Sequence, residues 1–208
     1  MTRAWWSGTA ALLCAAAPEA IVARLALRLV ETHPLNRDEQ VHAWREQVAV
    51  LAAALVDAPA EWGVLLEYPL LRLGGRIDAV ILTGAAILVL EFKSGVHGFS
   101  RAGRLQVDDY ALDLRDFHTG SRVHPIVPIL VAPRGMPGPT TWPLLWHAVV
   151  PVIDASATTL PGLLAELAAR VPTPATALDG AAWEAAPYRP VPTIVEAARM
   201  LYARHGVA

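Results

Sequence analysis

The chain has 208 residues, of which 54% are hydrophobic, 17% charged and 7% aromatic, with a formal charge of −2. That is enough apolar material for one ordinary domain with a substantial core, and too much for a disordered chain. The single cysteine, Cys14, excludes an internal disulfide scaffold and fits a reducing, cytoplasmic setting, while no uncharged apolar run reaches the ~20 residues of a membrane span.

In chain order, Arg3 and the Ala-rich stretch to Ala17 imitate the outline of a signal peptide, but Trp5-Trp6 and Ser7-Gly8 interrupt it. A helical region is therefore expected over residues 1–60. Pro18 to Val56 reads as helix, broken at His33-Pro34 and Asn36, with Asp38 as N-cap of the second segment. There Val41, Trp44, Val48, Leu51, Ala52 and Leu55 recur at three- and four-residue steps. From Gly63 the period shortens. Val64 to Pro69, Arg76 to Leu82 and Ile87 to Lys93 are β-rich runs separated by turns at Gly74-Gly75 and Thr83-Gly84, most simply an antiparallel meander. Ser94 to Gly103 is expected as a loop, Leu105 to Phe117 as a helix and Ile126 to Val131 as a strand. Strand character returns at Ala148 to Ile153 and a helix at Leu160 to Arg170; Pro172 to Pro192 is linker-like, and Thr193 to His205 is a last amphipathic helix. The order predicts an α/β fold with mixed strand pairing. It divides into an N-terminal helical region (1–60), a core (61–134) and a C-terminal extension (135–208).

Charge and lysine usage carry further information. Between Arg72 and Arg134 eight basic residues stand against six acidic ones, so the middle segment tilts positive, as a phosphate-binding face does. Sixteen of the seventeen basic residues are arginine; Lys93 is the only lysine. A chain that otherwise uses arginine keeps an ammonium where a planar guanidinium does not serve.

Lys93 does not stand alone. Asp78 interrupts an apolar strand, where a carboxylate is costly unless paired or metal-bound. Glu91 and Lys93 lie two apart near the end of the next strand and share a face. Pairing across Thr83-Gly84 brings Asp78 toward Glu91. Two carboxylates so placed need a cation, and hard oxygen ligands favour Mg²⁺ or Mn²⁺. An ammonium beside such an ion is placed to orient a water and to stabilise charge growing on a phosphate. Gln106 and Tyr110, four apart, share a helix face where an amide and a phenol can meet a phosphate or an unpaired base, or cap a surface helix.

Gly75-Arg76-Ile77-Asp78, Glu91-Phe92-Lys93 and Gln106 with Tyr110 together resemble the GxxD, (D/E)xK and QxxxY elements of the RecB-like branch of the PD-(D/E)XK nuclease superfamily. Glu67-Tyr68-Pro69, Asp109 to Asp113, Pro128-Ile129-Leu130 and Pro192 to Ala198 extend the likeness. With these, the chain resembles the nuclease-like region that precedes the motor in bacterial Schlafen-like DNA/RNA helicases. The resemblance covers most of the chain and is weakest over the first thirty-five residues and over 135–190. It implies a restriction-endonuclease-like core of helix, three-strand meander, helix and strand. It implies a Mg²⁺- or Mn²⁺-dependent nuclease acting on DNA or RNA, with Asp78, Glu91 and the Phe92 carbonyl as metal ligands and Lys93 as the catalytic lysine. Gln106, Tyr110 and Arg76 would contact nucleic acid. Some relatives add a glutamate on the first helix, for which Glu46 is the candidate; Glu67 serves either the site or a pairing with Arg76 or Arg72. No GxxxxGK[ST] segment is present, so the sequence reads either as part of a longer helicase, with the motor in cis, or as a free-standing relative whose motor, if any, acts in trans. The second reading is a nuclease-like fold without catalysis, serving as a nucleic-acid-binding or assembly module of a helicase.

Overall fold

The computed structural model describes residues 3–32, 37–71, 74–146, 149–172 and 178–189. The expected final helix at 193–205 and the Pro192 to Ala198 segment lie outside the described residues. The elements run β1 (Trp6–Thr9), α1 (Ala10–Ala15), α2 (Pro18–Thr32), α3 (Arg37–Leu55), β2 (Gly63–Pro69), β3 (Arg76–Leu82) and β4 (Ile87–Phe92). They continue with α4 (Arg101–Phe117), a short 3₁₀ turn (Thr119–Ser121), β5 (Ile126–Val131), β6 (Ile153–Ala155), α5 (Leu160–Arg170) and α6 (Gly180–Ala185).

Among the described residues the strands join one six-stranded sheet in sequence order, β1 to β6. β2, β3 and β4 form the expected meander, each pair antiparallel. The β3–β4 turn closes where Thr83 Oγ1 accepts from Ala86 N at 3.0 Å, with Gly84 at φ 83. α4 then carries the chain over to β5, which lies parallel to β4, and β6 lies parallel to β5. The result is an α/β fold on a mixed open sheet.

Four expectations are corrected. The N-terminal region is not all helix. Trp6–Thr9 pairs with β2 as an edge strand, and Thr9 then caps α1 by accepting from Leu12 N at 3.2 Å. α4 starts at Arg101, because Ser100 Oγ accepts from Gly103 N at 3.0 Å and caps a turn that was expected as loop. The strand expected at Ala148 to Ile153 falls instead at Ile153–Ala155, with a single bridge from Val149 to Ile126 before it. The linker-like stretch also holds α6, capped by Asp179 and anchored by the buried Trp183. The sheet takes strands from all three regions, β1 before residue 60 and β6 after residue 134.

Two apolar layers cover the sheet. On one face Val64, Leu66, Ala79, Ile81, Leu88 and Leu90 meet Ile21, Leu25, Trp44, Leu51 and Leu164 from the N-terminal helices and α5. On the other, Leu65, Val80, Leu82 and Val89 meet Val107, Ala111 and Leu114 of α4. Each buried aliphatic side chain contributes about 1.5–3 kcal/mol, so the helical stripes read from the sequence supply much of what holds the sheet. Among the described residues no helix is long and apolar enough to cross a membrane.

Candidate active site

The β3–β4 ladder ends at Ala79↔Leu90, and one step further the register sets Asp78 opposite Glu91. There the strands stop pairing through their backbones: Phe92 N donates to Asp78 Oδ2 at 2.7 Å. On its other side β4 stays paired through Lys93, whose N donates to Val131 O at 2.8 Å. The end of β4 is thus held by β5, while its β3 side is open to a side chain.

From this end a chain of polar contacts reaches α4. Lys93 Nζ donates to Glu91 Oε1 at 2.9 Å and to Gln106 Oε1 at 2.8 Å, and Gln106 Nε2 donates to the Tyr110 hydroxyl at 2.9 Å. The four-residue spacing of Gln106 and Tyr110 therefore puts both on the helix face that meets Lys93. Gly75 belongs to the same corner: a Cβ there would lie 3.4 Å from the Tyr110 oxygen.

Asp78, Glu91, Phe92, Lys93 and Ser94 line a cavity of about 430 Å³ whose far wall is α3, through Glu39 and Gln47 among others. Burial pushes the Asp78 carboxyl well above the usual carboxylate range; the charges of Glu91 and Glu67 push the same way, against the Phe92 N–H and Lys93. Burial likewise raises Glu91, opposed by the hydrogen bond and charge of Lys93. One ammonium does not neutralise both groups. Glu91 Oε2 and Ser94 Oγ are, besides, buried without a hydrogen-bond partner, which costs roughly 1–3 kcal/mol per group.

A divalent cation fits this donor set. Among the described residues no group of three or more His, Cys, Asp or Glu side chains is gathered to hold a metal. The protein ligands would be Asp78, Glu91 and a main-chain carbonyl such as that of Phe92, with water completing the shell. That suits Mg²⁺ or Mn²⁺, which take oxygen ligands and, for Mg²⁺, retain several waters.

The remaining candidates stand elsewhere. Glu46 does not line the cavity, and its carboxylate lies 3.9 Å from the Arg134 guanidinium; α3 presents Glu39, Gln40, Ala43 and Gln47 instead. Arg76 is committed to the fold: its Nε donates to Glu67 Oε2 at 2.5 Å and its guanidinium stacks on Trp5 at 4.2 Å from the ring centre. Glu67 is satisfied on both oxygens, since Trp44 Nε1 donates to Oε1 at 2.7 Å. It is the paired carboxylate of the alternatives open in the sequence. Glu39, Gln47 and Ser94 were not singled out from the sequence. The signal for the helix residues was the four-step series Glu39, Ala43, Gln47, which runs beside the apolar stripe of Trp44 and Val48.

No family model, no curated protein and no solved structure matches the chain.

Proposed function

We propose that the protein is a divalent-metal-dependent nuclease that hydrolyses phosphodiester bonds of DNA, with RNA as the alternative substrate, and that acts with a helicase motor. The observation that carries this reading is the meeting of Asp78, Glu91 and the chain's only lysine at one cavity, with Glu91 Oε2 left unpartnered. A structural ion pair needs one carboxylate for one lysine; this corner holds two, both raised toward their neutral forms.

Asp78 and Glu91 would hold the metal, and bound Mg²⁺ or Mn²⁺ supplies Lewis acidity toward water and the scissile phosphate. Lys93 has three N–H donors, of which Glu91 and Gln106 take two. The third is directed to a phosphate oxygen as charge grows on it, or to the attacking water. Gln106, fixed by Tyr110, keeps the ammonium from folding wholly onto Glu91. Water adds to phosphorus, the P–O ester bond breaks, and the leaving oxygen takes up a proton.

The test is cleavage of labelled single- and double-stranded DNA and of RNA with Mg²⁺ or Mn²⁺ by purified protein, beside Asp78→Asn and Lys93→Ala. Each variant is expected to lose about 100-fold or more in rate. Cleavage that survives both substitutions removes the proposal. Binding without cleavage by the unsubstituted protein selects the non-catalytic module.

A further inference from the structure

β2 and β3 change phase in mid-strand. Residues two apart in a strand share a face, yet Leu66 packs in the layer of α3 and Tyr68 in the layer of α4. Across the ladder the same holds for Ala79 and Ile77. The register is the same on both sides of the change, Leu66↔Ala79 before it and Tyr68↔Ile77 after it, so no residue has been inserted as in an ordinary bulge. The pair skipped between them is Glu67 and Asp78. Glu67 is also the one non-glycine residue with positive φ among the described residues, at 53°. A side chain in that region is strained, and such strain persists only where the surroundings impose it.

The surroundings of Glu67 do so. Its carboxylate, 2% exposed, receives Trp44 Nε1 from α3 and Arg76 Nε from β3. Arg76 lies on Trp5, whose ring meets Trp44 edge-on with centroids 6.0 Å apart. Trp5, Trp44, Glu67 and Arg76 thus close a ring drawn from four separate segments. Both Glu67 oxygens are thus engaged by the fold, and Glu67 does not line the cavity. What it controls is the backbone opposite Asp78. Where the turn breaks the ladder, the Asp78 carboxylate takes the Phe92 N–H and comes to lie beside Glu91.

We infer that Glu67 is a positioning residue: locked by Trp44 and Arg76, it holds the left-handed turn that interrupts β2–β3 pairing opposite Asp78 and sets the Asp78 carboxylate between β3 and β4. For the role of Asp78 as a ligand this rests on the nuclease reading above, but the geometric coupling from Glu67 to Phe92 does not.

The experiment is residue-resolved amide hydrogen exchange by NMR on the whole chain in metal-free buffer, followed by Mn²⁺ titration. Glu67→Ala deletes the carboxylate and keeps the unfavourable Cβ; Glu67→Gly deletes it and relieves the backbone; Glu67→Gln keeps the shape and the acceptor for Trp44. The Phe92 amide is expected to exchange about tenfold faster in Glu67→Ala, while Val80 and Val89 stay within about threefold. Glu67→Gly should recover most of the protection if the turn is what matters, and Glu67→Gln should fall between. Mn²⁺ affinity should weaken in the same order, about tenfold for Glu67→Ala. Unchanged Phe92 protection in all three variants overturns the inference, as does a uniform acceleration of every core amide in the variants that fold. If the unsubstituted protein binds no Mn²⁺ while Phe92 still responds to Glu67, the metal reading fails and the coupling stands. If Mn²⁺ binds and Glu67 has no effect on it or on Phe92, the positioning role alone is lost.

Discussion

His118 offers a pH prediction whose size follows from its surroundings. It is 0% exposed, and its ring centre lies 4.4 Å from that of Trp183 and 6.3 Å from that of Tyr68. Its Nδ1 meets Ser121 Oγ at 2.8 Å, and the same oxygen accepts from Trp183 Nε1 at 2.9 Å. A charge there is opposed first by burial and then by Arg3, which together pull the imidazole down to about 4. In the unfolded chain histidine titrates near ~6.5. Between those values the unfolded chain binds the proton and the folded one does not. His118 therefore costs nothing above about pH 6.5, and destabilises progressively as pH falls toward 4. The full difference corresponds to about 3 kcal/mol, of which about 2.5 kcal/mol falls between about pH 7.5 and 4.5. The carboxyls of Asp78 and Glu91 act with opposite sign, because their folded-state values are raised. The clean measurement is thus a difference: urea unfolding of the natural chain and of His118→Gln across that range. The gap between them should change by about 2.5 kcal/mol in favour of the variant toward acid. A gap constant to within about 0.5 kcal/mol refutes the assignment of a buried, neutral imidazole.

Other outcomes follow from the site. Lys93→Arg should lower cleavage about 100-fold, since a planar guanidinium fork does not replace a compact ammonium between Glu91 and Gln106; a rate within threefold of the unsubstituted protein contradicts this. Raised carboxyls must give up protons to bind a cation, so Mn²⁺ affinity should strengthen as pH rises, and calorimetry in buffers of different ionisation heat should show net proton release. Binding without proton release contradicts it. Tyr110→Phe leaves Gln106 Nε2 without its acceptor and should lower the maximal rate about tenfold while leaving Mn²⁺ affinity within about twofold; a shift confined to affinity would place Tyr110 elsewhere in the mechanism.

The strands that carry the site were legible because their signals are local. The glycines at 74 and 84 have φ 67 and 83, values that suit glycine, so the turns could be placed from the sequence. The alternation around Glu91 and Lys93 needed only the two-residue period. What escaped the sequence depends on partners distant in the chain. Trp6–Thr9 is a strand because β2 offers an edge, and nothing within four residues announces that. The helix face of α3 was open at Glu46 because alanines blur its apolar stripe, and a one-residue change in phase exchanges Glu46 for Gln47, which lines the cavity. Glu67 was open in the sequence as a partner of Arg76, whereas Trp5, on which the Arg76 guanidinium also stacks, is too distant in the chain to be paired with it from spacing alone. The left-handed conformation of Glu67 runs against the preference of its residue type and is imposed by Trp44 and Arg76 from outside the strand.

The tension between stability and chemistry at Asp78 supplies a last test. In the metal-free protein this carboxyl is disfavoured by burial and by the charges of Glu91 and Glu67. Asparagine keeps an oxygen for the Phe92 N–H and removes the charge. Asp78→Asn should accordingly be more stable than the natural chain in chelator at about pH 7.5, by about 1–2 kcal/mol. The gain should shrink as pH falls, because the natural carboxyl becomes neutral in both states below the ordinary aspartate range. Saturating Mn²⁺ should reverse the order: at a hundred times its dissociation constant a ligand adds about 2.7 kcal/mol to a protein that binds it, and the asparagine variant forgoes most of that. A thermal melt of both proteins, with chelator and with Mn²⁺, therefore predicts a crossing. A variant less stable than the natural chain under both conditions would mean that Asp78 is there to hold the strands together. A variant more stable under both would mean that no cation reaches it.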